Sequence, residues 1–210
     1  MRVNADFTKR VAVHFDQNEW VASPAAGIER KMLDRIGEEV ARATTIVRFA
    51  PGSAFAPHTH DGGEEYLVLD GVFQDETGDF PVGSYVRNPP TSSHTPSAKE
   101  GATILVKLHQ FDPEDRTELR RSIDGEGTVR LFKDEREEVR VLNLAPGEKL
   151  DLDASQGLEL FVIEGGFQES GEEFSTWDWL RLPPETQSNV VAGPSGARVW
   201  VKSGHLSEMI

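Results

Sequence analysis

The stretch Gly52-Ser-Ala-Phe-Ala-Pro-His58-Thr-His60-Asp-Gly-Gly-Glu64-Glu65-Tyr-Leu-Val-Leu-Asp-Gly71 decides the reading of this chain. His58 and His60 are separated by one residue, so on a strand both imidazoles project from one face. Gly62-Gly63 permits a tight reversal, because glycine accepts positive φ at little cost. The reversal brings Glu64 and Glu65 back toward the imidazoles. These two carboxylates point to opposite faces, so at most one of them joins the histidines. His94 lies well downstream and must arrive from a distant strand. Three imidazoles and a carboxylate at such spacing are a ligand set for a divalent transition metal. His14, His109 and His205 stand without such neighbours and read as structural or exposed.

Outward from this motif, helical periodicity is scarce. Short β-type runs are broken by Gly, Pro and Asp: Arg10–Phe15, Ala43–Phe49, Glu65–Leu69, Ile104–Leu108, Val139–Leu144, Leu158–Ile163 and Ala197–Val201. Strands of this length with frequent turn signals predict an all-β, mostly antiparallel protein.

The chain also repeats itself. Gly63–Pro90 laid over Gly157–Pro184 keeps Gly63/Gly157, Glu65/Glu159, Val68/Val162, Gly71/Gly165, Phe73/Phe167, Gln74/Gln168, Phe80/Phe174, Arg87/Arg181, Pro89/Pro183 and Pro90/Pro184. Ala50-Pro51-Gly52 matches Ala145-Pro146-Gly147, and Val106-Lys107 matches Val201-Lys202. Two copies of one β fold follow: a metal-binding copy over 1–115 and a second copy over 125–210, with the boundary inside Asp112–Gly127. In the second copy His58 and His60 fall near Asp153 and Ser155, Glu64 becomes Leu158, and His94 becomes Ser188. Glu64 disappears with the histidines while Glu65 persists as Glu159. Glu64 is therefore the expected ligand and Glu65 part of the scaffold. Tyr66 and Val68 share the strand parity of Glu64 and are expected to line its cavity. In the second copy Leu158, Phe161, Ile163, Trp177 and Trp179 are the expected interior.

Composition bounds the rest. The chain has 210 residues, 37% of them hydrophobic, and a formal charge of −14. That charge repels polyanions and argues against nucleic-acid binding. No apolar run approaches a membrane span, and no secretory signal is evident at the N-terminus. A cytoplasmic location without membrane contact is the expectation. Cysteine is absent, so a metal must be held by nitrogen and oxygen.

These residues resemble the cupin superfamily. Its first motif, Gly-x5-His-x-His-x3,4-Glu-x6-Gly, is met by Gly52–Gly71. Its second, Gly-x5-Pro-x-Gly-x2-His-x3-Asn, is met at Gly83, Pro89 and His94, with Thr91 and Ala98 at the remaining Gly and Asn positions. The resemblance implies two tandem cupin (double-stranded β-helix, jelly-roll) barrels, of which the first keeps a metal site. The run from His58 to Glu76, followed by Gly83-Ser-Tyr-Val-Arg-Asn-Pro-Pro and His94, is similar to the cupin domain of ChrR-type anti-sigma factors. That family binds zinc through His, His, Glu and His, here His58, His60, Glu64 and His94. Its sigma-binding helical domain, with its own His and Cys zinc site, has no counterpart in these residues. The resemblance thus carries over the metal cupin and not sigma-factor inhibition.

Two functions are compatible with this reading. One is a regulatory or sensory cupin holding one divalent metal per chain, zinc foremost, with Fe, Mn or Ni as alternatives. The other is a metal-dependent dioxygenase cleaving a small β-diketone-like substrate. Either would take a small molecule in the first barrel, and cupins commonly form homodimers, as expected here by analogy.

Overall fold

The computed structural model describes residues 1–207. Within them the only helical element is a 3-10 turn, Phe15–Gln17, and the rest of the regular structure is strand. The all-β expectation holds. Among the described residues no helix is long and apolar enough to cross a membrane.

The chain divides into two compact units. In the first, an antiparallel sheet runs Arg2–Val3, Ile28–Gly37, Ala41–Phe49, Ala102–Leu108, Glu64–Asp75, Ser84–Asn88 and Leu119–Ser122. In the second, the order is Thr128–Lys133, Glu138–Leu144, Val190–Ser203, Leu158–Glu169, Trp179–Leu182 and Val11–Val13. The central pairings repeat: Glu64–Asp75 lies between Ala102–Leu108 and Ser84–Asn88, as Leu158–Glu169 lies between Val190–Ser203 and Trp179–Leu182.

The units do not follow the linear division of the sequence. Asp6–Asn18 belongs to the second unit, and the first extends to Ile123. Val11–Val13 pairs with Trp179–Leu182, and His14 bonds Asp178 and Glu172, each at 3.0 Å. Leu119–Ser122 pairs with Ser84–Asn88. A three-residue apolar run has no local feature that names its partner strand, which is why sequence alone assigns it to the nearer half.

On one face of each central strand sits the same buried charge ladder. Glu65 lies between Lys107 and Arg87, and Glu159 between Lys202 and Arg181. Tyr85 donates to Glu65 Oε2 at 2.6 Å, and Trp179 Nε1 to Glu159 Oε2 at 3.2 Å. Arg87 stacks 4.1 Å from the Phe111 ring centre and Arg181 4.0 Å from that of Phe7. All six ladder residues are buried. A lone buried charge would cost several kcal/mol, so the ladder survives only as a set. Glu65 is thus scaffold, as the repeat indicated. Phe161 and Trp179 pair on this face as well, opposite Leu158, rather than in the interior.

The other face forms the core. In the first unit Tyr66, Val68, Phe73, Ile104 and Val106 cluster there. In the second the cluster is Leu142, Leu144, Leu158, Leu160, Val162, Val199 and their neighbours. Gly71 and Gly165 mark a shared close approach. Both have φ near 70°, and a Cβ would come within 2.2 Å of the Gly101 carbonyl oxygen or 2.3 Å of that of Gly196.

Candidate metal centre

His58–Thr59 pairs with Ser93–His94, and this register places His94 directly across from His58. His60 continues the same edge: its amide donates to the Ser92 carbonyl at 2.9 Å, and its carbonyl accepts from Thr91 at 2.9 Å. The chain then reverses through Gly63, at φ 77°. Its Cβ would strike the Phe111 ring at 2.4 Å, so glycine is required twice over. The reversal opens the strand that begins with Glu64.

The four expected residues meet. One ligand atom from each of His58, His60, Glu64 and His94 lies within 4.8 Å of every other. Glu64 Oε1 is 3.6 Å from His60 Nε2 and 3.5 Å from His94 Nε2. Ligands about 2.1 Å from a common ion stand about 3.0–3.5 Å apart at right or tetrahedral angles. The cluster therefore has room for one such ion with little adjustment. Glu65 is not in it. Among the described residues it is the one His/Asp/Glu group of this kind.

Hydrogen bonds from outside fix which nitrogen each imidazole turns inward. His58 Nδ1 lies 3.0 Å from the Ala56 carbonyl, which can only accept. His94 Nδ1 lies 3.4 Å from the Asp75 carboxylate, also an acceptor. Ser92 gives its hydroxyl proton to the Pro89 carbonyl at 2.6 Å, so its oxygen accepts from His60 Nδ1 at 3.0 Å. Each Nδ1 thus carries the proton, and each Nε2 presents a bare lone pair to the centre. The Nε2 atoms of His60 and His94 are buried without a hydrogen-bond partner. A cation is the group that satisfies such a set.

Electrostatics agree. Burial, then the charges of His94 and His58, push His60 down to about 3, so its imidazole is neutral at neutral pH. Burial and His58 also lower His94, against the opposing pull of Asp75. Burial pushes Glu64 up to about 7, with Asn88 opposing through a 3.2 Å hydrogen bond and Asp75 adding to the rise.

A cavity of about 460 Å³ opens onto this group. His58, His60 and Glu64 line it together with Val47, Phe49, Phe55, Phe73 and Ile104. Tyr66 and Val68 point inward but pack into the core cluster instead of the cavity wall. His109, with φ 55°, lines the cavity. His205 is buried against Glu159 at 2.8 Å. His14 and His205 are structural, as their isolation in sequence suggested, and of the three only His109 reaches the cavity.

In the second unit the segment facing inward carries Leu152 and Ala154, both buried, while Asp153 and Ser155 are exposed. By backbone pairing Ser155 keeps the place of His60, since Glu185 donates to its carbonyl as Thr91 does to that of His60, and the side chains that turn inward beside it are apolar. With Leu158 and the buried Ser188, no ligand remains there.

The family model for the ChrR cupin-like domain matches residues 8–112. The chain belongs to the ChrR cupin-like family. No curated protein matches it in sequence. Solved cupin-type structures match nearly its whole length. The bacterial pirin YhhW from Escherichia coli, in complex with nickel(II), is 15% identical, with a TM-score of 0.72 over 92% of this chain and 98% of that one. A Nostoc punctiforme protein provisionally described as a dioxygenase is 14% identical, with a TM-score of 0.72 over 99% and 83%. A cupin 2 conserved barrel domain protein from Leptotrichia buccalis is 12% identical, with a TM-score of 0.62 over 96% and 99%. At these identities the likeness is one of fold, two tandem cupin barrels.

Sequence reasoning missed the residues that orient the ligands. Asp75 has an acidic counterpart in Glu169, so the contrast between copies gave no signal. Ser92 and Asn88 are ordinary polar residues whose roles come only from their positions.

Proposed function

We propose that the first cupin barrel is a mononuclear metal centre acting on a small organic molecule, and that the reaction is oxygenolytic cleavage of a β-diketone-like compound. The observation that carries this reading is the apolar cavity opening onto three of the four ligand residues. A metal enclosed only to stabilise a fold needs no adjoining cavity. His58, His60 and His94 supply three Nε2 donors, and Glu64 the carboxylate. A redox-active divalent metal held there would supply Lewis acidity toward an enolised carbonyl compound and electrons for dioxygen. The chain's own contribution is to hold the imidazoles in one tautomer, to keep the carboxylate buried beside them, and to enclose the substrate in a dry wall of Phe49, Phe55 and Phe73.

A second reading is a sensor that binds a metal, zinc in the first place, and a ligand without turnover, as the ChrR cupin likeness suggests. The two separate in one experiment. Metal content is measured on protein purified without added metal, and oxygen uptake with simple diketones on the iron-loaded form. Iron or manganese, with uptake lost in His94→Ala, is the expected outcome. One zinc per chain and no uptake after iron loading would sink the dioxygenase reading.

A further inference from the structure

Strand Ile28–Gly37 carries Arg30 and Arg35, an odd number of positions apart. On a regular strand they would face opposite sides. A bulge between Met32 and Asp34 changes the parity. Arg30 pairs with Val47 and Arg35 with Ala43, two positions of like parity on the neighbouring strand. Both arginines consequently line the apolar cavity that holds His58, His60 and Glu64.

Their own partners are poor. Arg30 Nε is buried without a hydrogen-bond partner. Arg30 Nη1 stands 3.7 Å from Glu39 Oε2, on a carboxylate side chain that is 69% exposed. Arg35 is buried, and its Nη2 donates to the backbone carbonyl of Glu38, a neutral acceptor. The Glu38 carboxylate is engaged with the chain's N-terminal amine. Burial, and after it the charge of Arg30, weakens Arg35's hold on its proton, against Glu39 and Glu38. Glu39 lines the same cavity but leaves its carboxylate largely in solvent, so the two like charges are costly there unless a further anion joins them.

The second unit is an internal control. It keeps the bulge, now between Arg130 and Phe132. The residue paired with Leu142, in the place of Arg30, is Thr128. The residue in the place of Arg35 is Lys133, 55% exposed and ion-paired with Glu138. The arginine pair is absent from the same barrel that lacks the ligands.

We propose that Arg30 and Arg35 form an anion subsite within the first barrel, which receives the carboxylate of a small oxo acid whose carbonyl end reaches the His58, His60, Glu64 and His94 group. The substrate class narrows from a neutral diketone to one bearing a terminal carboxylate. The assignment of the carbonyl end rests on the metal-centre reading above, and that of the carboxylate end does not. Guanidinium forks match carboxylates in a dry cavity better than any other side chain, and the cavity is of a size for a ligand of this kind.

Calorimetric titration of the full chain with 5-oxohexanoate and with its neutral amide tests this. The wild type should bind the acid at least tenfold more tightly than the amide. Arg30→Gln should remove that preference without changing amide binding, and Arg30→Lys should restore part of it. Protein stripped by a chelator, with metal content checked by mass spectrometry, should keep the preference, so failure of the metal reading leaves this result untouched. Equal binding of acid and amide by the wild type, failure to bind the acid at millimolar concentration, or a preference unaltered in Arg30→Gln would overturn the subsite.

Discussion

The two barrels share their strand pairing, their charge ladder and their glycine contacts, yet their interiors have parted. Where the first presents His58, His60, Glu64 and His94, the second has Leu152, Ala154, Leu158 and Ser188. Where the first has Val47 and Phe49 beside a cavity, the second has Leu142 and Leu144 inside a single apolar cluster. The residues common to both, Glu65/Glu159, Arg87/Arg181 and Lys107/Lys202, lie on the opposite face of the same strands. One face of the sheet therefore carries the fold, and the other is free to carry chemistry. The ligand set is not needed to make the barrel, because the second barrel forms without it.

The contrast can be broken at several points. The largest effect should come from His94→Ala. Metal content, read by mass spectrometry, should fall from one ion per chain to almost none, with the far-ultraviolet dichroism of the β fold unchanged. Two ions per chain in the wild type would refute the assignment of the second barrel as ligand-free. Next, Glu65→Gln and Glu159→Gln should each destabilise their own barrel, by no more than about 3–5 kcal/mol, because each removes the buried carboxylate between an arginine and a lysine, while Asp115 stays on Arg87 and Glu137 on Lys202. Denaturant melts should show similar losses in the two variants. A large loss in one alone would mean that the ladders are not equivalent.

A smaller effect concerns acidity at the centre. Glu64 holds its proton up to about pH 7 in the metal-free protein, whereas His60, at about 3, has none to give in that range. Metal affinity should therefore rise by up to about tenfold per pH unit below 7 through Glu64 and flatten above it. Glu64→Gln should shed that part of the slope in competition titrations with a coloured chelator. The smallest effect belongs to the second unit. Asp178, and then Glu172, raise His14 above its ordinary value of 6.5. The stabilisation from these bonds is complete below that value and is lost as pH rises through the higher folded one. Thermal melts of the wild type and of His14→Gln should converge as pH is taken from 6 to 9.

Much of the centre was legible before any coordinates. Histidine spacing and the glycine frame located it, and the repeat separated Glu64 from Glu65 without geometry. The failures share a cause. Alignment did not show that Leu152 and Ala154 turn inward while Asp153 and Ser155 stay exposed, and an unseen bulge hid the common face of Arg30 and Arg35. Strand parity turns on single residues, and neither a change of side nor a bulge announces its place in a sequence. Val11–Val13 failed differently, since its partner lies far along the chain. Asp75 and Ser92 act only through the imidazoles they touch.

The outer hydrogen bonds to His58, His60 and His94 have a consequence for how the ion is chosen. A carbonyl, a hydroxyl and a carboxylate have already turned the three rings before any ion arrives. An ion taken up there would meet donors already in place, and would not be needed to pull the barrel together. Selection would then fall to the geometry that these rings fix and to whichever divalent metals the surroundings supply, rather than to raw affinity.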